Sequence, residues 1–495
     1  TGLWDAYFAF FGNNPGTIFF GFLSEPNSSE FLPAAQYPHN LYLSILFRWG
    51  LFGLFLFIGY IYSSYKIALE GKASSNKMAI GLTLILLFIF GMALDILFAR
   101  AILYIYFAIF VVITAKPKSI GRPVTIDEND LKKENIIVEL IPSLARGGAE
   151  RFVASLAHSM SKTELVYVVT FYDDITEKNR EIIANNENIK LVCLHKKRGL
   201  DFKFYDNLLW LIKSLKPKVI HTHIYALFNL LIATWSLRGL HIVHSVHNLA
   251  PNEAKHFRRI LYYFAFKMKK VLPVAISIST KSSYEKYYHL SNIPLIYNGI
   301  DVDANVAPNT TRKNIMINVG RMTEQKNQLA LVEAFEFFVT DNPHWELYIV
   351  GNGPLKEVIM ERAKLLIAEG KLKILSDVEN LNEVYNTCQA FVLPSIYEGN
   401  SIALLEAINY NLFIIATKVG AATEYLIPNV NGIFVSSPAM YDIYLALTKA
   451  LPYLGKTNNQ ALLEKISIEK TASEYLSLFT QISEKKTKNK RHARV

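Results

Sequence analysis

The sequence predicts two consecutive α/β domains, each a doubly wound parallel sheet, behind a hydrophobic N-terminal quarter. Three observations carry this. Short β-branched runs alternate with helix-length segments from residue 136 onward, the pattern of strand, crossover helix and parallel strand. The alternation starts a second series near Asn314. Charges nearly vanish between Leu41 and Ala115, apart from Arg48, the Lys66 to Lys77 stretch, Asp95 and Arg100, and are mixed with apolar residues from Lys116 onward. At 495 residues the chain also exceeds what one hydrophobic core usually serves.

Taken in order, residues 1–40 read as an extracytoplasmic segment and 41–115 as about three transmembrane helices. Leu41 to Tyr62 is long enough for a bilayer, and Met78 to Leu94 with Ile96 to Thr114 forms a hairpin of two shorter spans. Lys66, Lys72 and Lys77 follow the first span and Lys116, Lys118 and Arg122 follow the last. The positive-inside rule therefore places both connections, and the long domain beyond, in the cytoplasm. The chain opens at Thr1 without a basic leader or cleavage pattern, so no signal peptide is expected and the start is read as lying inside a longer protein. Residues 116–134, with Pro117 and Pro123 among charges, read as a linker.

The first α/β domain is expected over 135–300, with strands at Ile136 to Leu140, Leu165 to Phe171, Val219 to His221, His241 to Val246 and Val274 to Ile276. Residues 301–313 are the expected interdomain linker. The second domain spans 314–482, with strands at Ile315 to Val319, Trp345 to Val350, Leu372 to Leu375, Ala390 to Leu393, Phe413 to Ala416 and Gly432 to Val435. Residues 483–495 form a basic tail that contributes much of the net charge of +10 and reads as disordered or as a contact for anionic lipid. The soluble part contains only Cys193 and Cys388, which excludes a disulfide framework or a cysteine metal site and fits a reducing compartment.

Chemistry concentrates in a few motifs. In Pro394-Ser395-Ile396-Tyr397-Glu398-Gly399-Asn400-Ser401-Ile402-Ala403-Leu404-Leu405-Glu406, two glutamates flank seven residues. With Ser401 as a helix N-cap, Glu398 sits in the loop and Glu406 two turns along the helix, roughly 10 Å away by helical rise. Backbone amides at that helix start, with Asn400 and Ser401 between the acids, suit a diphosphate whose two ends each meet one acid. Arg321 and Lys326, five residues apart after the strand Ile315 to Val319, suit the charge of a departing diphosphate. Gly147-Gly148, between the first strand and first helix, permit close approach of the backbone. Val246-His247-Asn248 also follows a strand.

These motifs resemble the glycosyl transferases group 1 family, retaining enzymes of the GT-B fold with a Glu-x7-Glu motif, from about residue 136 to 479. The resemblance implies two Rossmann-like domains facing a cleft, the N-terminal on the acceptor side and the C-terminal on the donor side. It implies that Glu398 contacts the transferred sugar, Glu406 the nucleotide ribose, and Arg321 and Lys326 the phosphates. Gly147 and Gly148 become cleft elements in the donor-binding set, and His247 faces the donor sugar. His221 and His223 resemble another cleft element, whereas His244 is expected to point into packing. No carboxylate cluster accompanies these histidines in the sequence, so no metal is expected, and no cofactor beyond the nucleotide-diphosphate sugar. Asp301-Val302-Asp303 has the Asp-x-Asp shape of metal-dependent transferases, but it follows Ile296 to Ile300, which resembles the family's domain-ending motif, so it reads as linker.

A second resemblance covers the first quarter. Tyr37-Pro38-His39-Asn40, followed by Arg48-Trp49-Gly50, resembles the end of the O-antigen ligase and polymerase membrane family. It implies a polysaccharide setting, with most of that family's catalytic spans absent here. The expected function is transfer of a sugar from a nucleotide sugar to a lipid-linked glycan in cell-surface polysaccharide synthesis. The alternative is a polymerase- or ligase-type membrane protein with an auxiliary sugar-binding domain. A basic and aromatic stretch, with Lys255, Arg258, Arg259, Lys267, Lys269 and Lys270 among Phe257, Tyr262, Tyr263, Phe264 and Phe266, suits a bilayer surface or the charged outer face of a core helix. No nucleic-acid partner is expected, because no recognised binding element accompanies it.

Overall fold

The computed structural model describes residues 126–492, save for 128, 131, 132, 134, 185, 200, 238, 255, 256, 304, 305, 307, 309, 310, 377 and 379. The chain divides into two compact units, Thr1–Ile120 and Gly121–Val495. The expected segments at 1–40 and 41–115 lie outside the described residues. Among the described residues, no helix is long and apolar enough to cross a membrane.

The second unit holds two six-stranded sheets. The first contains β1 (Ile136–Ile141), β2 (Leu165–Thr170), β3 (Ile189–Cys193), β4 (Val219–His223), β5 (Ile242–Val246) and β6 (Val271–Ala275), in the order 3-2-1-4-5-6. The second contains β7 (Ile315–Val319), β8 (Glu346–Val350), β9 (Leu372–Leu375), β10 (Ala390–Leu393), β11 (Phe413–Thr417) and β12 (Gly432–Val435), in the order 12-11-10-7-8-9. Counted within its own domain, this is the same winding. All described ladders are parallel, as in β1 with β2 (Ile136 opposite Leu165) and β7 with β8 (Ile315 opposite Glu346). Parallel sheets are covered by helices on both faces, which explains why β1, β2 and β4 are buried at every position rather than alternating.

The sheet order reverses between β1 and β4 and between β7 and β10, and loops leaving the carboxyl ends of these strands form a crevice. Gly147-Gly148, the Arg321 to Lys326 stretch and the two glutamates Glu398 and Glu406 lie on such loops or on the helix that follows, and His247 follows the neighbouring β5. The helix Gly148–Met160 follows β1 and the helix Ile402–Asn409 follows β10.

After β8 the chain forms two short helices, Lys356–Arg362 and Lys364–Ala368, that meet at Ala363. One expectation changes. The C-terminal helix, Ile468–His492, runs through the segment expected as a basic tail and packs on the first domain, although most of it falls in the 314–482 span assigned to the second. Its buried Ala472, Tyr475 and Phe479 form an apolar stripe. The Tyr475 ring lies 4.6 Å and the Phe479 ring 5.5 Å from that of His221. Main-chain bonds from Ile300 N–H to Ile466 O and from Ile468 N–H to Ile300 O join this return to the linker.

Candidate active site

Two loops of the second domain are stitched into one wall. After β7 the chain makes a 3-10 turn, Glu324–Lys326, and Asn327 takes a left-handed conformation (φ 57°) that starts the helix Gln328–Asp341. Ile396 N–H donates to Gln325 O, Gln325 Nε2 donates to Tyr397 O, and Asn327 Nδ2 donates to Pro394 O. These bonds bring the loop after β10 against the loop after β7. Lys326 Nζ lies 2.5 Å from Glu398 Oε1, which also accepts from Ser395 Oγ at 2.7 Å. Glu398 is thus buried, but its charge is matched. Arg321 is exposed and has no carboxylate at ion-pair distance among the described residues. Ser401 occupies the N-cap position of the helix Ile402–Asn409 without a side-chain cap bond.

Glu406 faces the other way along that helix. Tyr385 Oη donates to its Oε2 at 3.0 Å, and burial raises its carboxyl pKa. It lines a cavity of about 230 Å³ together with Arg151, Lys178, Asn382 and Asn409. Arg151 Nη1 and Asn409 Oδ1 are buried there without hydrogen-bond partners among the described residues. The cavity is at the Glu406 end; at the Glu398 end the carboxylate is paired with Lys326.

The facing wall is built on β1, β4 and β5. His247, directly after β5, places Nε2 3.0 Å from Nδ1 of His223. His223 Nε2 is 2.7 Å from Glu139 Oε2, and His221 Nδ1 is 3.0 Å from Glu139 Oε1. Burial by itself would raise the Glu139 pKa, but the charge of His221 and hydrogen bonds from both imidazoles outweigh it and hold the carboxyl at about 2. Burial, then the neighbouring His221, push His223 down to about 4. Burial and His223 push His247 well below the usual imidazole range. The sequence showed no carboxylate beside these histidines, and the structure corrects that: Glu139 comes from a strand 82 residues earlier than His221. Its signal was available as the lone charge in the apolar run Ile136 to Leu140. His244 packs inward as expected, between Thr222 and Glu253.

The walls touch. A Cβ on Gly399 would come within 2.3 Å of His247 O, so only glycine allows this approach. A Cβ on Gly148 would meet Ile402 Cγ1 at 3.2 Å, so the Gly147-Gly148 pair approaches the start of the donor-side helix. Asn400 Nδ2 donates to Ile276 O and Tyr425 Oη, and Glu424 Oε1 accepts from Ile278 N–H. Asn400, read as donor-binding, therefore holds the two domains together in this structure. Asp301 accepts from Ser155 Oγ at 2.6 Å and Asp303 from Tyr410 Oη at 2.8 Å, one clasp to each domain.

Among the described residues, two groups come close enough to share an ion: Glu139, His221 and His223, all buried, and Asp173, Cys193 and His195 at the surface. The basic and aromatic stretch forms the helix Phe257–Lys267, which divides its aromatics. Tyr262 and Phe266 are buried, while Ile260, Tyr263, Phe264 and the following Met268 are exposed. Lys270 donates to Trp235 O and so has a structural task.

Comparison with known proteins agrees with this architecture. The family model "Glycosyl transferases group 1" matches residues 301–453, and that of "Glycosyltransferase Family 4" matches 146–304. An uncharacterized glycosyltransferase of Methanocaldococcus jannaschii is 32% identical over 189 residues, 37% of this chain and 44% of that relative. The chain thus spans less than half the length of that relative. In Campylobacter jejuni, a GalNAc-alpha-(1->4)-GalNAc-alpha-(1->3)-diNAcBac-PP-undecaprenol alpha-1,4-N-acetyl-D-galactosaminyltransferase is 22% identical over 323 residues, 63% of this chain and 86% of the relative. Among solved structures, Anabaena HepE in complex with UDP and glucose superposes with a TM-score of 0.59 at 16% identity, covering 70% of this chain and all of that one.

Proposed function

This chain is a glycosyltransferase of the glycosyl transferases group 1 family, and from that premise we propose that it moves a sugar, with retained anomeric configuration, from a nucleotide-diphosphate sugar to a lipid-linked glycan. The observation that carries the reading is the Lys326–Glu398 pair at the start of the helix Ile402–Asn409, opposite His247. Arriving diphosphate competes for Lys326, joins Arg321 and the helix-start amides, and leaves Glu398 free to accept from sugar hydroxyls. Glu406 and its cavity take the nucleoside. The bond from the anomeric carbon to the diphosphate oxygen breaks while the acceptor oxygen bonds to that carbon on the same face. The acceptor proton passes to the departing phosphate oxygen, so no side-chain base is assigned. Arg321 and Lys326 supply the charge that a metal would otherwise offer, and the reaction is proposed to run without one.

Two observations support a lipid-linked acceptor in cell-surface glycan synthesis on the cytoplasmic side of a bacterial inner membrane. The Campylobacter jejuni relative is named for an undecaprenol-linked substrate. The helix Phe257–Lys267 presents Phe264 and Tyr263 beside Arg259 and Lys267, a surface fit for an anionic bilayer. The test is release of nucleoside diphosphate by the full chain from a panel of nucleotide sugars, with and without bacterial lipid extract, beside Glu398→Ala and Arg321→Ala. Lipid-dependent release from one donor, lost in both variants, is the expected result. No release and no binding of any donor would overturn the proposal.

A further inference from the structure

Glu139 has no task in the transfer just described. It is the one charged residue of β1, fully buried in the middle of a central strand. Both its oxygens are engaged, and the chain of contacts runs on in two directions. Toward the cleft it passes through His223 to His247. Away from it, His221 Nε2 meets Ser245 Oγ at 2.8 Å, and Ser245 Oγ meets Tyr475 Oη at 2.5 Å on the C-terminal helix.

The inward arm has only one arrangement of protons. An ionised carboxylate accepts and cannot donate, so His223 gives it the proton on Nε2. Neutral His223 then has a bare Nδ1, which takes the proton on His247 Nε2. Neutral His247, with its proton used in this way, has a bare Nδ1 that has no hydrogen-bond partner among the described residues. The groups around His247 leave this intact: His244 and Glu253 bond to each other behind it, the Phe152 ring meets it edge-on at 6.1 Å, and Gly399 covers its carbonyl.

We propose that Glu139 is a positioning residue which, through His223, sets the tautomer of His247, so that His247 meets a hydroxyl of the donor sugar as a hydrogen-bond acceptor at Nδ1. This rests on the reading that His247 faces the donor. Without Glu139 the two tautomers of each imidazole differ little in energy, and part of the population would offer the sugar hydroxyl an N–H instead.

The test is nitrogen-15 NMR of histidine-labelled full chain, which shows which ring nitrogen carries the proton and needs no donor. In the wild type His247 is expected protonated on Nε2 only, and neutral throughout neutral pH. In Glu139→Leu, and in His223→Leu one step nearer the site, it is expected as a mixture of tautomers. The kcat of both variants should fall roughly 10- to 100-fold with donor KM little changed, as for residues that orient a working histidine. A donor whose contacted hydroxyl is replaced by fluorine accepts but cannot donate, so it should lose rate in the wild type and lose less in Glu139→Leu. A wild-type His247 protonated on Nδ1, or charged at neutral pH, would overturn the proposal, as would a single unchanged tautomer in a folded variant. Should no donor be turned over at all, the function is refuted while the tautomer is still read.

Discussion

The two walls of the cleft hold their polar groups by opposite means. On the first domain, His247 is the end of a buried chain whose links through His223 and Glu139 are protein groups with full hydrogen-bond partners. On the second, Lys326 and Glu398 have, among the described residues, only each other and Ser395, with the lysine side chain 16% exposed and Arg321 open to solvent. The first arrangement is costly to change, since unpairing a buried carboxylate leaves an uncompensated charge. The second can exchange partners when a polyanion arrives. One wall keeps its geometry whether or not substrate is present, and the other is built to rearrange around it.

The largest expected effect breaks the exchangeable wall. Glu398→Ala should lower kcat by roughly 10²- to 10³-fold, the usual cost of losing a group that acts on the reacting centre. Its thermal midpoint should stay close to wild type, and calorimetric titration should show donor still bound through Lys326.

The buried wall should reveal itself in the pH dependence of stability. In the unfolded chain the His223 imidazole takes up a proton below about pH 6.5, whereas in the fold it stays neutral to about 4. The unfolded state therefore binds more protons across that window, and stability falls as the pH falls through it, by roughly 3 kcal/mol at most. Glu139, held at about 2 against an ordinary 4.5, extends the loss below pH 4.5. Urea midpoints measured from pH 7 to 3 should show this slope, and His223→Leu should flatten its upper part.

A smaller effect is expected where the walls meet. Gly399→Ala would drive a methyl group against His247 O, and a shift of about 1 Å there should cost roughly 10- to 100-fold in kcat/KM with little change in melting temperature. The smallest lies at the far end of the buried chain. Tyr475→Phe removes one hydrogen bond to Ser245 and should cost about 1 kcal/mol of stability, read from denaturant midpoints, with the His247 tautomer unchanged.

Much of this could be read from the order of residues. Eleven of the twelve strands, such as Ile315 to Val319 and Ala390 to Leu393, are legible as short apolar runs that parallel burial on both faces produces; the one missed is the edge strand β3, which carries Lys190 and is only partly buried. Glu398, Arg321 and Lys326 were identified because loops at strand ends carry polar residues that packing does not require. Asn400 lies in the same motif, yet its partners Ile276 and Tyr425 belong to distant segments. Glu139 passed unremarked, because a charge inside a strand looks like an interruption until its two histidines are brought beside it.

The sequence alone determined the two successive α/β domains, the strand-end placement of the motifs and the likeness to a family. These follow from local periodicity and from short motifs, which neighbouring residues decide. Only the tertiary structure decided that the C-terminal helix returns to the first domain, that Lys326 closes on Glu398, and that Glu139 unites His221 and His223. Each of these joins residues far apart in the chain, and a buried charge or an apolar stripe finds its partner only when the whole fold excludes water around it.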